Sequence, residues 1–363
     1  MTRWLTADDF DDLLAGSQLG VFSAANTFPG SISTWVRELM QERGRLSLVG
    51  VEEAHTVFDE DADAVTVGGV GSLPANLEIP FRGDEPRIVV ERMTRIYGRP
   101  FVAIAALNSA GPNALLAVAA ACKLGLPLLD CDGQGRVLPL IDQTTYALGG
   151  LSPSPLVGVG PWGDLVTIES PRGRVETLTR AAVTAAGGWL FCALYPAPVR
   201  DLTRTGIANA ISRCVEIGAT LRGGSTGPRG QLARRLGGRL IGRGRVLQIE
   251  QHSDGGGRTH QPAQPIGILI EDSGPTKSWI RLEVRNEVVL ATIDGRIIAS
   301  TPDTICMLDP IRRRTVDLID LQLGDVIDVL FLPADPAWHT PEGRKLAGPE
   351  AFGLPLGSLK PVL

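Results

Sequence analysis

Lysine is scarce. Only Lys123, Lys277, Lys345 and Lys360 occur, and the basic side chains are otherwise arginine. No Gly-x-x-x-x-Gly-Lys is present, which removes the phosphate loop of nucleotide hydrolases. None of the four lysines stands in a sequence suited to Schiff-base chemistry. Histidine is as thin, with His55, His252, His260 and His339. His252 and His260 share a loop with Asp254, a set a metal could in principle use, but that loop falls between expected strands and reads first as a hairpin tip. The five cysteines (Cys122, Cys131, Cys192, Cys214 and Cys306) are odd in number and include no Cys-x-x-Cys pair. They point to buried thiols in a reducing cytoplasm, not to a disulfide framework. Cys131 is the only one with a case as nucleophile, and its neighbours Asp130 and Asp132 argue against it, because adjacent carboxylates raise a thiol pKa.

Long apolar runs are missing as well. The stretch from Phe101 to Ala121 is broken by Asn108, Ser109, Gly111, Pro112 and Asn113, so it reads as strand, loop and helix instead of a membrane span. The first residues, Met1-Thr-Arg-Trp-Leu-Thr-Ala-Asp-Asp9, are acidic and lack an apolar signal core, so no export signal is expected. A net charge of -5 excludes a general binder of nucleic acid or anionic membrane. Seven arginines and no acidic residue lie between Arg222 and Arg245. Without interleaved aromatics, that stretch is expected to be a domain-linking or subunit-contact surface, and a homo-oligomer stays open.

What is present is an ordinary globular composition, 44% hydrophobic and 21% charged over 363 residues, long enough for two domains. Helical and strand patterns alternate through the first two thirds. Helices are expected over 5–15, 34–43, 86–97, 112–124, 178–186 and 206–221, with strands over 46–51, 65–70, 100–107, 126–129, 156–160, 165–169 and 189–195. The helical pattern then stops, and short β-rich runs follow, with Asp294-Gly295 as a hairpin turn. The predicted architecture is a three-layer α/β domain with a largely parallel sheet over 1–235. An all-β barrel or sandwich over 236–334 follows, then an irregular tail over 335–363 packed on the surface.

The stretch Gly125-Leu-Pro-Leu-Leu-Asp-Cys-Asp-Gly-Gln-Gly-Arg136 organises the first domain. A strand that ends in Asp130 is followed by Asp132, two glycines and Arg136, and ligands of open α/β sheets bind beyond the carboxyl ends of strands. Two further loops, Gly68 to Glu78 and Asn108 to Asn113, are expected at the same sheet edge. Together they offer Glu78, Asp130 and Asp132 as acid/base or metal-binding carboxylates and Arg136 as an anion holder. Asn108, Asn113, Gly71 and Gly135 are the substrate-binding candidates. A plainer alternative is that Asp130 caps the next helix and that Asp132 and Arg136 form a structural ion pair. Gly68, Gly69 and Gly71 form only a weak phosphate-loop signal and read first as a turn.

These residues resemble the S-methyl-thiohydantoin desulfurase-like family. The resemblance is carried by Gly125-Leu126-Pro127, Asp130, Asp132, Gly133, Gly135, Arg136 and Pro139. Gly71-Ser-Leu-Pro74 with Glu78, Asn113, Pro302 to Asp309, and Gly348 to Gly353 extend it over nearly the whole chain. It departs where the family's glycine-rich loop is here Gly20 to Pro29, where a family Glu is Leu107 or Asn108, and where another is Leu140. The resemblance implies hydrolysis of a small cyclic amide, thioamide or hydantoin-like compound. No cofactor is expected, although a divalent metal stays open, and the partners implied are a small-molecule substrate and a hydantoinase/oxoprolinase-type subunit. The alternative is a catalytically silent metabolite-binding or accessory protein of such a system.

Overall fold

The computed structural model describes residues 3–19, 30–223, 230–251, 266–275, 277–285, 287–318, 320–354 and 356. The Gly20–Pro29 loop and the loop with His252, Asp254 and His260 lie outside the described residues. The chain divides into two compact units. One comprises residues 1–17, 28–136 and 140–216; the other comprises 18–27, 137–139 and 217–363.

The first unit is built on a nine-stranded sheet. Its strands are β1 (Arg3–Thr6), β2 (Arg45–Val49), β3 (Asp63–Gly71), β4 (Phe101–Ala106), β5 (Leu128–Asp132), β6 (Leu156–Val159), β7 (Leu165–Ile168), β8 (Trp189–Pro198) and β9 (Ile207–Ala208). The order is β1-β2-β5-β4-β3-β8-β6-β7, with β9 on β5. The central run β2-β5-β4-β3 is parallel and its flanks are antiparallel. Three adjacent strands, β3, β4 and β5, therefore deliver their following loops to one edge, as the alternating pattern predicts.

Along the chain the helices of this unit are α1 (Phe10–Leu19), α2 (Gly30–Arg43), α3 (Ala54–Val57), α4 (Leu73–Glu78), α5 (Glu85–Tyr97), α6 (Pro112–Leu124), α7 (Thr145–Leu148), α8 (Arg172–Ala185), α9 (Val199–Thr205) and the start of α10 (Ala210–Arg222). One sheet face packs on α2, α5 and α6 through Val36, Met40, Val89, Met93, Leu115 and Val118. The other packs on α3, α7, α8 and α9 through Ala54, Tyr146, Val175 and Leu202. This is the expected three-layer arrangement.

Helix α6 is the centre of the first face. Its residues 114–122 are all buried, and its apolar alanine-rich sequence lets neighbouring helices approach closely. Gly125, at φ 70°, ends it: the N–H of Leu126 donates to the Ala121 carbonyl and that of Gly125 to the Cys122 carbonyl, a left-handed stop that satisfies the last carbonyls. At the start of the chain, Thr6 closes a capping box with Asp9, whose carboxylate accepts from the Thr6 N–H at 2.8 Å and from its hydroxyl at 3.0 Å. The residues before it form strand β1, which the helical reading of 5–15 overlooked because four residues carry too little periodicity.

The second unit holds a seven-stranded antiparallel sheet in the order β14-β13-β12-β11-β10-β16-β15. Its members are β10 (Arg239–Gln251), β11 (Ile266–Asp272), β12 (Trp279–Arg285), β13 (Glu287–Ile293), β14 (Arg296–Ser300), β15 (Thr304–Leu308) and β16 (Val326–Leu332). Register shifts in β10, β12 and β13 bend the sheet into a half-barrel. Ile268, Ile270, Leu282, Ile305 and Val329 belong to its apolar core. Helix α11 (Gln231–Arg235) leads into β10. The segment after Pro333, read from sequence as irregular, contains α12 (Pro341–Ala347) between two 3-10 turns, with Trp338 and Phe352 buried.

Candidate functional site

Strand β5 runs on through Asp130 to Asp132, longer than the four residues the sequence suggested, so both carboxylates belong to the strand. Residues two apart on a strand share a face. Cys131 packs in the core of the opposite face, with its thiol 3.9 Å from the Tyr146 hydroxyl. Burial pushes its pKa up to about 12, which leaves no thiolate for nucleophilic work.

Asp130 is engaged by a helix. Its Oδ1 accepts from the N–H groups of Ile211 at 2.8 Å and Ser212 at 3.1 Å, and its backbone carbonyl accepts from Asn209 at 2.8 Å. It is the N-terminal cap of α10, supplied from a distant strand. A capping role was expected, but for the next helix in sequence.

Asp132 is fully buried and stitches two loops together. Its Oδ2 accepts from the Ser109 N–H at 2.6 Å and from the Ser109 hydroxyl at 2.5 Å. Its Oδ1 accepts from the Gln134 N–H at 3.0 Å and the Gly135 N–H at 2.7 Å. Among the described residues the Asp132 carboxylate is met by backbone N–H groups and the Ser109 hydroxyl, where the sequence suggests Arg136 as its partner. The reason is geometric: the chain turns back over the strand end at Gly133, and its amides reach the carboxylate first. Burial raises the Asp132 pKa to about 6, against the lowering effect of the Ser109, Gly135 and Gln134 donors. Arg136 is itself buried, 2% exposed, and stays in the same loop.

The two asparagines hold the frame of the site. Asn108 donates through Nδ2 to Gln134 Oε1 at 2.8 Å and accepts from the Ala110 N–H at 3.2 Å. Asn113, at the start of α6, accepts from the Gly69 N–H at 2.6 Å and so ties that helix to β3. A Cβ on Gly69 would lie 3.1 Å from Leu116 Cδ1, and one on Gly68 would lie 2.9 Å from Leu107 Cβ. The glycines of β3 are thus required by α6 and the β4 loop, which accounts for them without a phosphate. Gly71 has φ 129° and lies against the backbone of Gly188, as part of the β3–β8 pairing.

Glu78 is the outlier. It is the exposed last residue of the short helix α4, and among the described residues it has no hydrogen bond or ion pair to any other candidate. Asp130, Asp132, Asn108 and Gly135 are brought together with Arg136 in one loop system; Asn113 and Gly71 belong to the β3 end.

Sequence reasoning passed over several residues that shape this edge. Ser109 links to Asp132, and its carbonyl accepts from the Cys214 thiol at 3.1 Å. Leu140, where the resembled family has Glu, is held by its backbone: its N–H donates to Gln143 Oε1 at 3.0 Å and its carbonyl accepts from Gln134 Nε2 at 3.3 Å. Further along, Ile141 N–H donates to Glu176 at 2.8 Å and its carbonyl accepts from the Tyr195 hydroxyl at 2.9 Å. Only Ser109 carried a signal, as a hydroxyl in the loop after β4. Among the described residues no group of three or more His, Cys, Asp or Glu could hold a metal. No helix there is long and apolar enough to cross a membrane.

The profile of the S-Me-THD-like, N-terminal domain matches residues 8–170, and that of the S-Me-THD-like, C-terminal domain matches residues 170–362. A crystal structure of a protein from Chromobacterium violaceum shares the fold, with a TM-score of 0.77 over 99% of each chain at 21% identity. Comparison with the curated proteins finds no match. With the two domain profiles following one another from residue 8 to residue 362, the chain belongs to the S-Me-THD-like family.

Proposed function

We propose that this chain hydrolyses a small cyclic amide, thioamide or hydantoin-like compound at the β3–β4–β5 edge of its α/β unit. The observation that carries the reading is the proton affinity of Asp132. A carboxyl that burial moves to about 6 can accept a proton and return it close to neutral pH. Its short bond to the Ser109 hydroxyl gives that proton a route, because Ser109, 6% exposed, is the less enclosed of the two. In the reaction, water adds to the ring carbonyl and gives up a proton toward Ser109 and Asp132. The ring C–N bond then breaks and its nitrogen takes the proton back. Arg136 opposes the negative charge that develops on the carbonyl oxygen.

The pH dependence of turnover tests this. With hydantoin and S-methyl-thiohydantoin as substrates, kcat/KM is expected to rise through about pH 6, and Ser109→Ala is expected to lower it about 10²-fold or more. A rate that is flat from pH 5 to pH 8, or unchanged in Ser109→Ala, rejects the assignment.

A second reading is a metabolite-binding or accessory protein that works beside a hydantoinase/oxoprolinase-type partner. It is favoured by one observation: Asp130 and Asp132 both accept hydrogen bonds that hold the fold. Ligand-induced thermal stabilisation without turnover supports it over hydrolysis.

A further inference from the structure

Asn76 lies on α4, in the loop system after β3, and is 2% exposed. Neither its Oδ1 nor its Nδ2 has a hydrogen-bond partner among the described residues. An interior carboxamide with both ends unmet is costly, and native proteins seldom keep one without a water, an ion or a ligand to meet it. Other side-chain amides of the same unit show the contrast: Asn108, Asn113 and Gln143 are all engaged by protein groups.

The helix that carries Asn76 is fixed at both ends by β8 and the turn before it. The Ser72 N–H donates to the Gly188 carbonyl at 2.8 Å, and Trp189 Nε1 donates to the Ile79 carbonyl at 2.9 Å. Gly188 permits the approach, since a Cβ there would lie 2.7 Å from the Ala75 Cβ. The backbone that holds the unmet carboxamide is therefore set in advance, as a recognition group requires.

A carboxamide edge offers one N–H donor beside one carbonyl acceptor. Its complement is a group with the same pair in reverse order on one edge: a cis amide, found in lactams, cyclic imides and hydantoins. We infer that Asn76 is a binding residue for the cis-amide edge of a ring substrate and joins it through a pair of parallel hydrogen bonds. This rests on the cyclic-amide reading above and names the part of the ring that is recognised. It also assigns a role on the α4 segment to a residue two positions before the exposed Glu78.

Calorimetric binding of hydantoin and 1,3-dimethylhydantoin to the full chain tests the inference. The methylated probe keeps the ring and its carbonyls but has no N–H. Wild type is expected to bind hydantoin about tenfold or more tighter than the methylated probe. Asn76→Leu is expected to weaken hydantoin to the level of the methylated probe with the melting temperature unchanged or raised, because it removes an unmet polar group. Asn76→Ser, smaller and still polar, serves if the leucine variant does not fold, with the same loss of discrimination expected. Hydantoin binding that is equal in wild type and variants overturns the role of Asn76 and leaves the hydrolase reading standing. The same holds for a lowered melting temperature with discrimination intact, the mark of an internal water site. No binding of hydantoin by wild type removes both.

Discussion

Asp130 and Ile211 are 81 positions apart, yet the carboxylate of the first accepts from the N–H of the second at 2.8 Å, so a strand caps a helix of a later part of the chain. The bond uses one oxygen for two amides, those of Ile211 and Ser212. Asp130→Ala leaves both N–H groups unmet in a buried position and is expected to cost roughly 2 kcal/mol. Asp130→Asn keeps an oxygen in place and should cost only a few tenths, about 0.5 kcal/mol. Urea denaturation of the two variants checks the order; equal losses contradict the capping role.

For Asp132 the informative quantity is a difference across pH. Its folded pKa of about 6 lies above the ordinary 3.8, so the folded state binds the proton more tightly than the unfolded chain. The stability this contributes is fully present below about pH 3.8 and is lost as pH rises through about 6. The stability of wild type minus that of Asp132→Asn is therefore expected to be higher at pH 4 than at pH 7.5, by roughly 2.5 kcal/mol. Comparing the two proteins at each pH cancels the other carboxylates. Wild type gaining stability relative to the variant toward pH 7.5 contradicts the raised pKa.

Gly71 and Gly98 separate two costs of a side chain. Both have positive φ, 129° and 83°, but a Cβ on Gly71 would be 2.3 Å from the Gly188 carbonyl oxygen while one on Gly98 meets open space. Gly98→Ala is expected to cost about 1–2 kcal/mol from backbone strain alone. Gly71→Ala adds overlap with backbone and is expected to cost roughly 3 kcal/mol or more. Thermal unfolding of the pair tests the ranking.

All five cysteines are buried. Burial holds Cys122 near pKa 11 and Cys131, Cys192 and Cys214 near 12. A thiol reagent at pH 8 is expected to modify the native protein very slowly and to find five thiols after unfolding. Fast reaction of Cys131 in the native protein would reopen its case as a nucleophile.

The parallel core was legible because strands β3, β4 and β5 alternate with helices at regular spacing, and that alone placed the three loops on one edge. The extent of β5 was not legible: Pro127 and Gly133 bracket it, but aspartate is a poor strand former, and only the backbone donors that meet Asp130 and Asp132 make the extension stable. For the same reason the partner of each carboxylate was misread. A single sequence shows that charges are close along the chain, and a guanidinium four residues on is the obvious partner. It does not show that Ile211 and Ser109 amides arrive from other loops. Asn76 was invisible because nothing in Ala75-Asn76-Leu77 distinguishes an exposed helical asparagine from an enclosed one.

Between Ala114 and Cys122, α6 has no face in water. Amide hydrogens of such a helix exchange with solvent only when the surrounding layers separate, so its protection reports the opening of the whole unit. Asn113 belongs to this helix, and the strand that carries Asp130 and Asp132 follows directly from its end. The edge of the sheet that bears the candidate site is thereby anchored to a fully enclosed helix. With that helix as a rigid base, ligand association at this edge is expected to follow one kinetic phase whose rate scales linearly with ligand concentration.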